Sequence, residues 1–235
     1  MTLYAARTAR TIAILPVKSF DAAKQRLADM LGGGARKALA QAMFSDVLAT
    51  LRRVPGIDEI AVVTADAAAE SAAAGKRVTV LRDSAQAGQS AAALIGIGHA
   101  LAGGYERVLL VPGDTPLLQP RELAALANGA RGVVIVADRH GTGTNALVLS
   151  PPDVIEPAFG PGSFARHVAA AEAAQAPYRV EEVPGLALDV DTPADLAQLA
   201  AALEGRRGQA PSTRGTLRQL ERTGAWTTSL AQASA

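Results

Sequence analysis

Short β-branched runs alternating with Ala- and Leu-rich stretches constrain this 235-residue chain more than any other feature. The runs read as strands over 11–17, 59–64, 78–81, 107–111, 132–137, 145–149, 178–183 and 186–188. The stretches 35–52, 67–74, 90–102 and 120–127 read as helices, and Pro120 sits where a first helical turn tolerates it. In the first of these, Leu39, Met43, Val47 and Leu51 recur at a helical spacing and predict one buried stripe. Strands that are apolar throughout and separated by helices imply an α/β fold, a mostly parallel central sheet with helices on both faces. After Asp138 two strands follow with no helix between them, so a reversed edge strand or hairpin is expected there. Gly32-Gly33-Gly34 reads as a helix end or a flexible loop.

Composition then narrows the chemistry. The chain has no cysteine, which excludes disulfides, a thiolate nucleophile, iron–sulfur clusters and Cys-based zinc sites. Three scattered histidines, His99, His140 and His167, do not suggest a His-rich metal site. A net charge of +1 with few aromatics speaks against a nucleic-acid partner. The apolar segment 11–17 is too short to span a bilayer, so a soluble, cytoplasmic protein is expected. From Gly205 the texture changes: five arginines face one acid, leaving residues 1–204 at −3. We therefore expect one domain over 1–204 and a basic, flexible tail over 205–235, with 205–215 as a linker.

Open parallel sheets bind ligands at the carboxyl ends of their strands, so residues just after each strand matter most. Lys18, Lys24 and Arg26 follow the first strand and could present cations to an anion; the plainer alternative is a solvated loop. Asp114 follows the fourth, between Gly113 and Thr115-Pro116, and resembles a Mg²⁺ ligand or simply an Asp in a tight turn. In Leu188-Asp189-Val190-Asp191-Thr192-Pro193-Ala194-Asp195-Leu196, alternation along a strand would aim Asp189 and Asp191 to one side. Thr192 and Pro193 read as a helix cap. Two carboxylates on one side repel unless a cation lies between them, and hard oxygen donors favour Mg²⁺. No P-loop, dinucleotide fingerprint or nucleophile elbow is present.

A basic loop after the first strand, a strand ending in Gly113-Asp114, and Asp189-x-Asp191-Thr192-Pro193-x-Asp195-Leu196 resemble nucleotidyltransferases of the Rossmann-like, glycosyltransferase-A type. Lys24-Gln25-Arg26-Leu27, the segment from Asp138 to Leu147, and Phe159-Gly160-Pro161-Gly162-Ser163-Phe164-Ala165-Arg166-His167 are more specific. They resemble the phosphoenolpyruvate/2-phospho-L-lactate guanylyltransferases of coenzyme F-420 biosynthesis, over about residues 11–203. The resemblance implies transfer of GMP from GTP to a three-carbon phosphorylated acid with release of pyrophosphate. Phosphoenolpyruvate is favoured as the acid over 2-phospho-L-lactate and 3-phospho-D-glycerate. It implies that Asp114, Asp189 and Asp191 hold two Mg²⁺ ions; Lys18 of the basic loop is expected to act with them in catalysis. It further implies acceptor contacts at Thr144, Gly160 and Ser163; nucleotide contacts are expected at Lys18, Lys24 and Arg26 of the basic loop and at Ser90. Ser90 departs from the Asn that many relatives carry. A homodimer and hand-over of an unstable product to a downstream transferase are expected as well. The alternatives are a CTP- or sugar-phosphate-type nucleotidyltransferase, a glycosyltransferase using Asp189-Val190-Asp191, and a non-catalytic nucleotide-binding regulator.

Overall fold

The first strand, β1 (Thr11–Val17), sends Ala13 and Leu15 to one buried face and Ile12 and Ile14 to the other. A strand apolar on both sides needs cover on both sides, and the computed structural model shows how it is supplied. The structure describes residues 9–75, 77–129, 131–206 and 208–226. Around β1 are β2 (Glu59–Thr64), β3 (Val78–Arg82), β4 (Arg107–Leu110), β5 (Gly132–Ala137), β6 (Thr144–Ser150) and β7 (Tyr178–Glu181). Among the described residues they form one seven-stranded sheet in the order β3-β2-β1-β4-β6-β5-β7.

All neighbours pair parallel except at β6, which is antiparallel to β4 (Leu109 opposite Val148) and to β5 (Ile135 opposite Leu147). The reversed strand is therefore interior and not an edge strand. The hairpin expectation holds, but β7 extends the sheet beyond β5 and takes the edge. Helices α1 (Gly33–Leu51), α2 (Ala67–Ala73) and α4 (Pro120–Ala127) cover one face. Helices α3 (Gln89–Ala102) and α5 (Ser163–Ala173) cover the other. Gly96 lets α3 lie directly on β1, because a Cβ there would overlap the Ile14 side chain.

Three further expectations change. Gly33 and Gly34 open α1, with Gly32 as its N-cap, rather than ending a helix. The run 186–188 is a turn and not a strand: Leu186 N–H donates to Val183 O at 2.9 Å, and Asn145 Nδ2 donates to Leu186 O at 2.6 Å. Apolarity there reflects burial inside a loop, and Asp189 and Asp191 do not lie on a strand. The stretch expected to be a linker and flexible tail instead contains helix α7 (Pro211–Arg222), stacked with α6 (Pro193–Glu204) on the outside of α1. Leu217, Leu220 and Trp226 are buried there with Leu39 and Met43 of α1. The stripe on α1 is thus split between two layers, Leu39 and Met43 facing α6 and α7, Val47 and Leu51 facing the sheet. Residues 227–235 of the expected tail lie outside the described residues.

Chain order runs outward from β1 to β3 and then returns across β1 to β4. That places the topological switch point, where open sheets bind ligands, between β1 and β4. Val111 N–H donates to Ile14 O at 3.0 Å, so the loops after β1 and after β4 leave the sheet side by side.

Candidate active site

The loop after β1 is fixed from below before it presents any charge. Asp66 Oδ2 accepts from Phe20 N–H at 2.8 Å, while Oδ1 caps α2 through Ala68 and Ala69 N–H. Burial alone would raise the Asp66 pKa, but these backbone donors outweigh it and hold the carboxyl below its ordinary value. Phe20 packs on Phe44 at 5.7 Å between ring centroids. Beyond this anchor Lys24 takes a left-handed backbone conformation, φ 56°, which costs a non-glycine residue about 1–2 kcal/mol.

That conformation turns the Lys24 ammonium inward. Nζ donates to Asp114 Oδ2 at 2.5 Å and to Asp191 Oδ1 at 3.0 Å, with the side chain only 7% exposed. Burial disfavours its charge, yet the two carboxylates more than offset this and raise its pKa. Lys18 stays exposed after β1, and Arg26 is exposed on the far side of Lys24.

The segment carrying Asp189 and Asp191 is held by side chains instead of a sheet. Asn145 Nδ2 lies 3.4 Å from Asp189 Oδ1. Asp195 Oδ2 accepts from Asp191 N–H at 2.9 Å and from Thr192 N–H at 2.6 Å, so the capping box of α6 also fixes the Asp191 backbone. Arg139 pairs with Asp195 and donates to Gln198 Oε1 at 2.7 Å, tying the 138–143 loop to the same helix end. Asp189 is held above its ordinary pKa, first by burial and then by the charges of Asp114 and Asp191.

Two clefts open along this carboxyl edge. The first, ≈ 460 Å³, is lined by Lys18, Ser19, Lys24, Asp83, Gln86 and Gln89 over a floor of Phe20, Phe44 and Ala92. The second, ≈ 470 Å³, runs between Arg26, the 138–145 loop and the 159–163 loop. They share one wall: Gln89, Pro112, Asp114 and Asp191 line both. Asp189, Thr144, Gly160 and Ser163 face the second cleft.

The structure thus brings together the three aspartates, Lys24, and the two groups flanking them. Ser90 lines neither cleft; its Oγ accepts from Phe159 N–H at 2.9 Å, which ties α3 to the 159–163 loop. Thr144 N–H donates to Ser163 Oγ at 2.8 Å, so both residues are hydrogen-bonded to each other as well as facing the cleft. Sequence reasoning missed Asp83, Arg139 and Asn145. Asp83 carried the same signal as Asp114, an acid directly after a strand. The other two have partners more than 40 residues away, which no local pattern reveals.

The donor set at the shared wall, carboxylates without nitrogen or sulfur, suits a hard cation. Among the described residues no three His, Asp or Glu side chains converge in a geometry that holds an ion, and Lys24 lies between Asp114 and Asp191.

A Rossmann-like sheet with its reversed strand beside β4 and two clefts meeting at carboxylates defines the nucleotidyltransferase class. In fold, the chain is similar to a solved structure from Desulfovibrio desulfuricans assigned as a nucleotide-diphospho-sugar transferase. The TM-score is 0.75 at 18% identity, covering 91% of this chain and 96% of that one. Within the class, the chain belongs to the family described as guanylyl transferase CofC like, which residues 11–223 match. The match runs through α7, beyond the 203 reached by the motifs. A phosphoenolpyruvate guanylyltransferase from Conexibacter woesei is 51% identical over 217 residues, 91% of this chain and 97% of its own. One of the same name from Sphaerobacter thermophilus is 40% identical over 193 residues, 81% of this chain and 92% of its own.

Proposed function

We propose that this protein transfers GMP from GTP to the phosphate of a three-carbon acid, phosphoenolpyruvate in the first place, and that it serves coenzyme F-420 biosynthesis. The observation that carries the reading is the shared wall: two clefts of similar size meet at Asp114 and Asp191. A reaction joining two substrates end to end needs two sites whose reacting ends touch, and two clefts that share a wall support that reading. The relatives' names supply the identity of the substrates.

In this reading the triphosphate lies in the first cleft along Lys18 and toward Lys24, and the acid lies in the second, near Thr144, Gly160 and Ser163; Arg26, expected beside the nucleotide, lines the second cleft instead. An oxygen of the acceptor phosphate attacks the α-phosphorus, and the bond from that phosphorus to the β-bridging oxygen breaks, releasing pyrophosphate. A phosphate with a second pKa of ~6 is already ionised at neutral pH, so no general base is required. Asp114, Asp189 and Asp191 would offer oxygen donors to Mg²⁺ if the Lys24 ammonium gave up its place between Asp114 and Asp191, and the ion would neutralise charge on the phosphates. Lys24, which bridges Asp114 and Asp191, offsets the repulsion between the two carboxylates at the seam.

The base would extend toward β3. Asp83 follows that strand directly, is 7% exposed, lines the first cleft, and accepts from Gln86 N–H through Oδ1 at 3.0 Å. Three strand spacings separate β3 from β4, roughly 14 Å, the reach of a nucleotide from base to phosphate. A carboxylate accepts only, and guanine offers two adjacent donors, N1–H and the 2-amino group. A cytoplasmic setting, a homodimer and hand-over of the product to a downstream transferase complete the proposal. Pyrophosphate release measured with each of GTP, CTP and ATP against each of the three acids tests it. The expected pair is GTP with phosphoenolpyruvate, and release with CTP alone would overturn it.

A further inference from the structure

One buried side chain joins the two loops of the second cleft. His167 on α5 is fully buried, with the Phe159 ring edge-on at 5.3 Å between centroids. Its Nε2 lies 2.8 Å from the backbone nitrogen of Ala158. That amide can only donate, so Nε2 must carry a lone pair. A neutral imidazole has one N–H, which therefore sits on Nδ1, and Nδ1 lies 2.9 Å from Thr144 Oγ1. A charged ring would set N–H against N–H at Ala158. Burial, and then the charge of neighbouring Arg166, push the His167 pKa down to about 4, in keeping with a neutral ring.

The consequence passes to the cleft. Thr144 Oγ1 accepts from the ring, so its own hydrogen is left for another acceptor. Thr144 N–H donates to Ser163 Oγ at 2.8 Å, which leaves the Ser163 hydrogen free in the same way. Both residues line the second cleft. Arg166 Nη2 holds Ala158 O at 2.8 Å and Phe159 O at 3.3 Å, and Ser90 holds Phe159 N–H, so the start of the 158–162 loop is tied to both α3 and α5.

We propose that His167 is a positioning residue for the acceptor: by accepting from Ala158 and donating to Thr144 it locks both loops together and makes the Thr144 hydroxyl a hydrogen-bond donor toward an anion. This rests on assigning the second cleft to the phosphorylated acid. His167→Phe keeps the ring and its contact with Phe159 and removes both hydrogen bonds. It should raise KM for phosphoenolpyruvate roughly ten- to hundred-fold, the scale of one hydrogen bond to a charged group, with KM for GTP nearly unchanged. Thr144→Val should have the same effect, and the double variant should be little worse than either single one. His167→Gln, which retains one donor and one acceptor, should recover part of the loss.

Because His167→Phe could fail to fold, nitrogen NMR of the wild-type ring gives an independent test. The expected spectrum is a neutral ring protonated on Nδ1 from pH 6 to 8. A ring protonated on Nε2 or charged at pH 7, or a rise of both KM values together, would overturn the proposal. Absence of transfer to any three-carbon acid by the wild-type protein would overturn the functional reading itself, whatever the ring's tautomer.

Discussion

Asp189 carries a conflict that its surroundings leave in place. Burial and the charges of Asp114 and Asp191 raise its pKa, so the folded protein holds that proton more tightly than the unfolded chain does. Ionising it therefore costs stability: the cost is absent below the ordinary value of 3.8, grows as pH rises through it, and persists at neutral pH. Asp189→Asn should raise the melting temperature at pH 7 without divalent cations, with the gap closing near pH 3. The same change should cut guanylyl transfer by about 10²-fold, as losing one strong electrostatic contact does. A lower melting temperature at pH 7 would count against this account. Asp83 gives a second residue-scale test. If its carboxylate reads the 2-amino group, the protein should prefer GTP to ITP by roughly ten- to hundred-fold. Asp83→Asn, which keeps the acceptor for Gln86 N–H, should abolish that preference; an unchanged ratio in competition assays would remove Asp83 from base recognition. Asp114 was legible because it follows a strand; Asp189 and Asp191 were singled out by the alternation of a strand that the structure replaces with a loop, next to a helix cap that was read correctly. Their partner Lys24 was legible as a cation in the right loop, but not as the bridge between Asp114 and Asp191, which lie 90 and 167 residues away.

At the scale of elements, the start of α6 does two jobs. Thr192 and Pro193 mark it in the sequence, since cap and first turn are adjacent in the chain. Asp195 completes the capping box and also fixes the Asp191 backbone and receives Arg139. Asp195→Ala should cost about 1–2 kcal/mol for the lost cap, seen as a lower melting temperature. It should reduce kcat as well, because Asp191 loses its backbone anchor, whereas a change in melting temperature alone would mean that capping is its whole contribution. Arg139→Ala should leave the cap and loosen the 138–143 loop, so acceptor KM should rise more than stability falls. Strand periods were read correctly wherever two faces are buried by helices. They failed at 186–188, because Leu186 and Leu188 are buried within a loop whose backbone Asn145 satisfies. Burial and pairing give the same apolar run, and only the partner tells them apart.

At the scale of the molecule, the chain has a third layer that composition concealed. Helix α7 is rich in Arg, and its three buried residues, Thr213, Leu217 and Leu220, are a thin signal among exposed polar ones. The cue lay in α1 instead, a helix apolar on more than one side, which a single covered face cannot accommodate. Docking is also polar: Asp46 of α1 is 3% exposed and accepts from Ser212 N–H at 3.0 Å and Thr213 N–H at 2.7 Å, capping α7 from across the interface. Gln209 Nε2 donates to Leu117 O at 2.5 Å, which links the approach to α7 with the strand end that carries Asp114. Removing residues from 209 onward would uncover Leu39, Met43, Leu199 and Leu203 and take away Leu217, Leu220 and Trp226. Each fully buried side chain of this size contributes about 1.5–3 kcal/mol, so the loss is comparable to the ~5–15 kcal/mol by which a domain is stable. The truncated chain should aggregate or unfold at a much lower temperature. Asp46→Ala in the full chain should weaken the same contact by about 1–3 kcal/mol, the penalty for leaving buried donors unpaired. A truncated protein that stays monomeric with the melting temperature and transfer rate of the full chain would show that the third layer is dispensable.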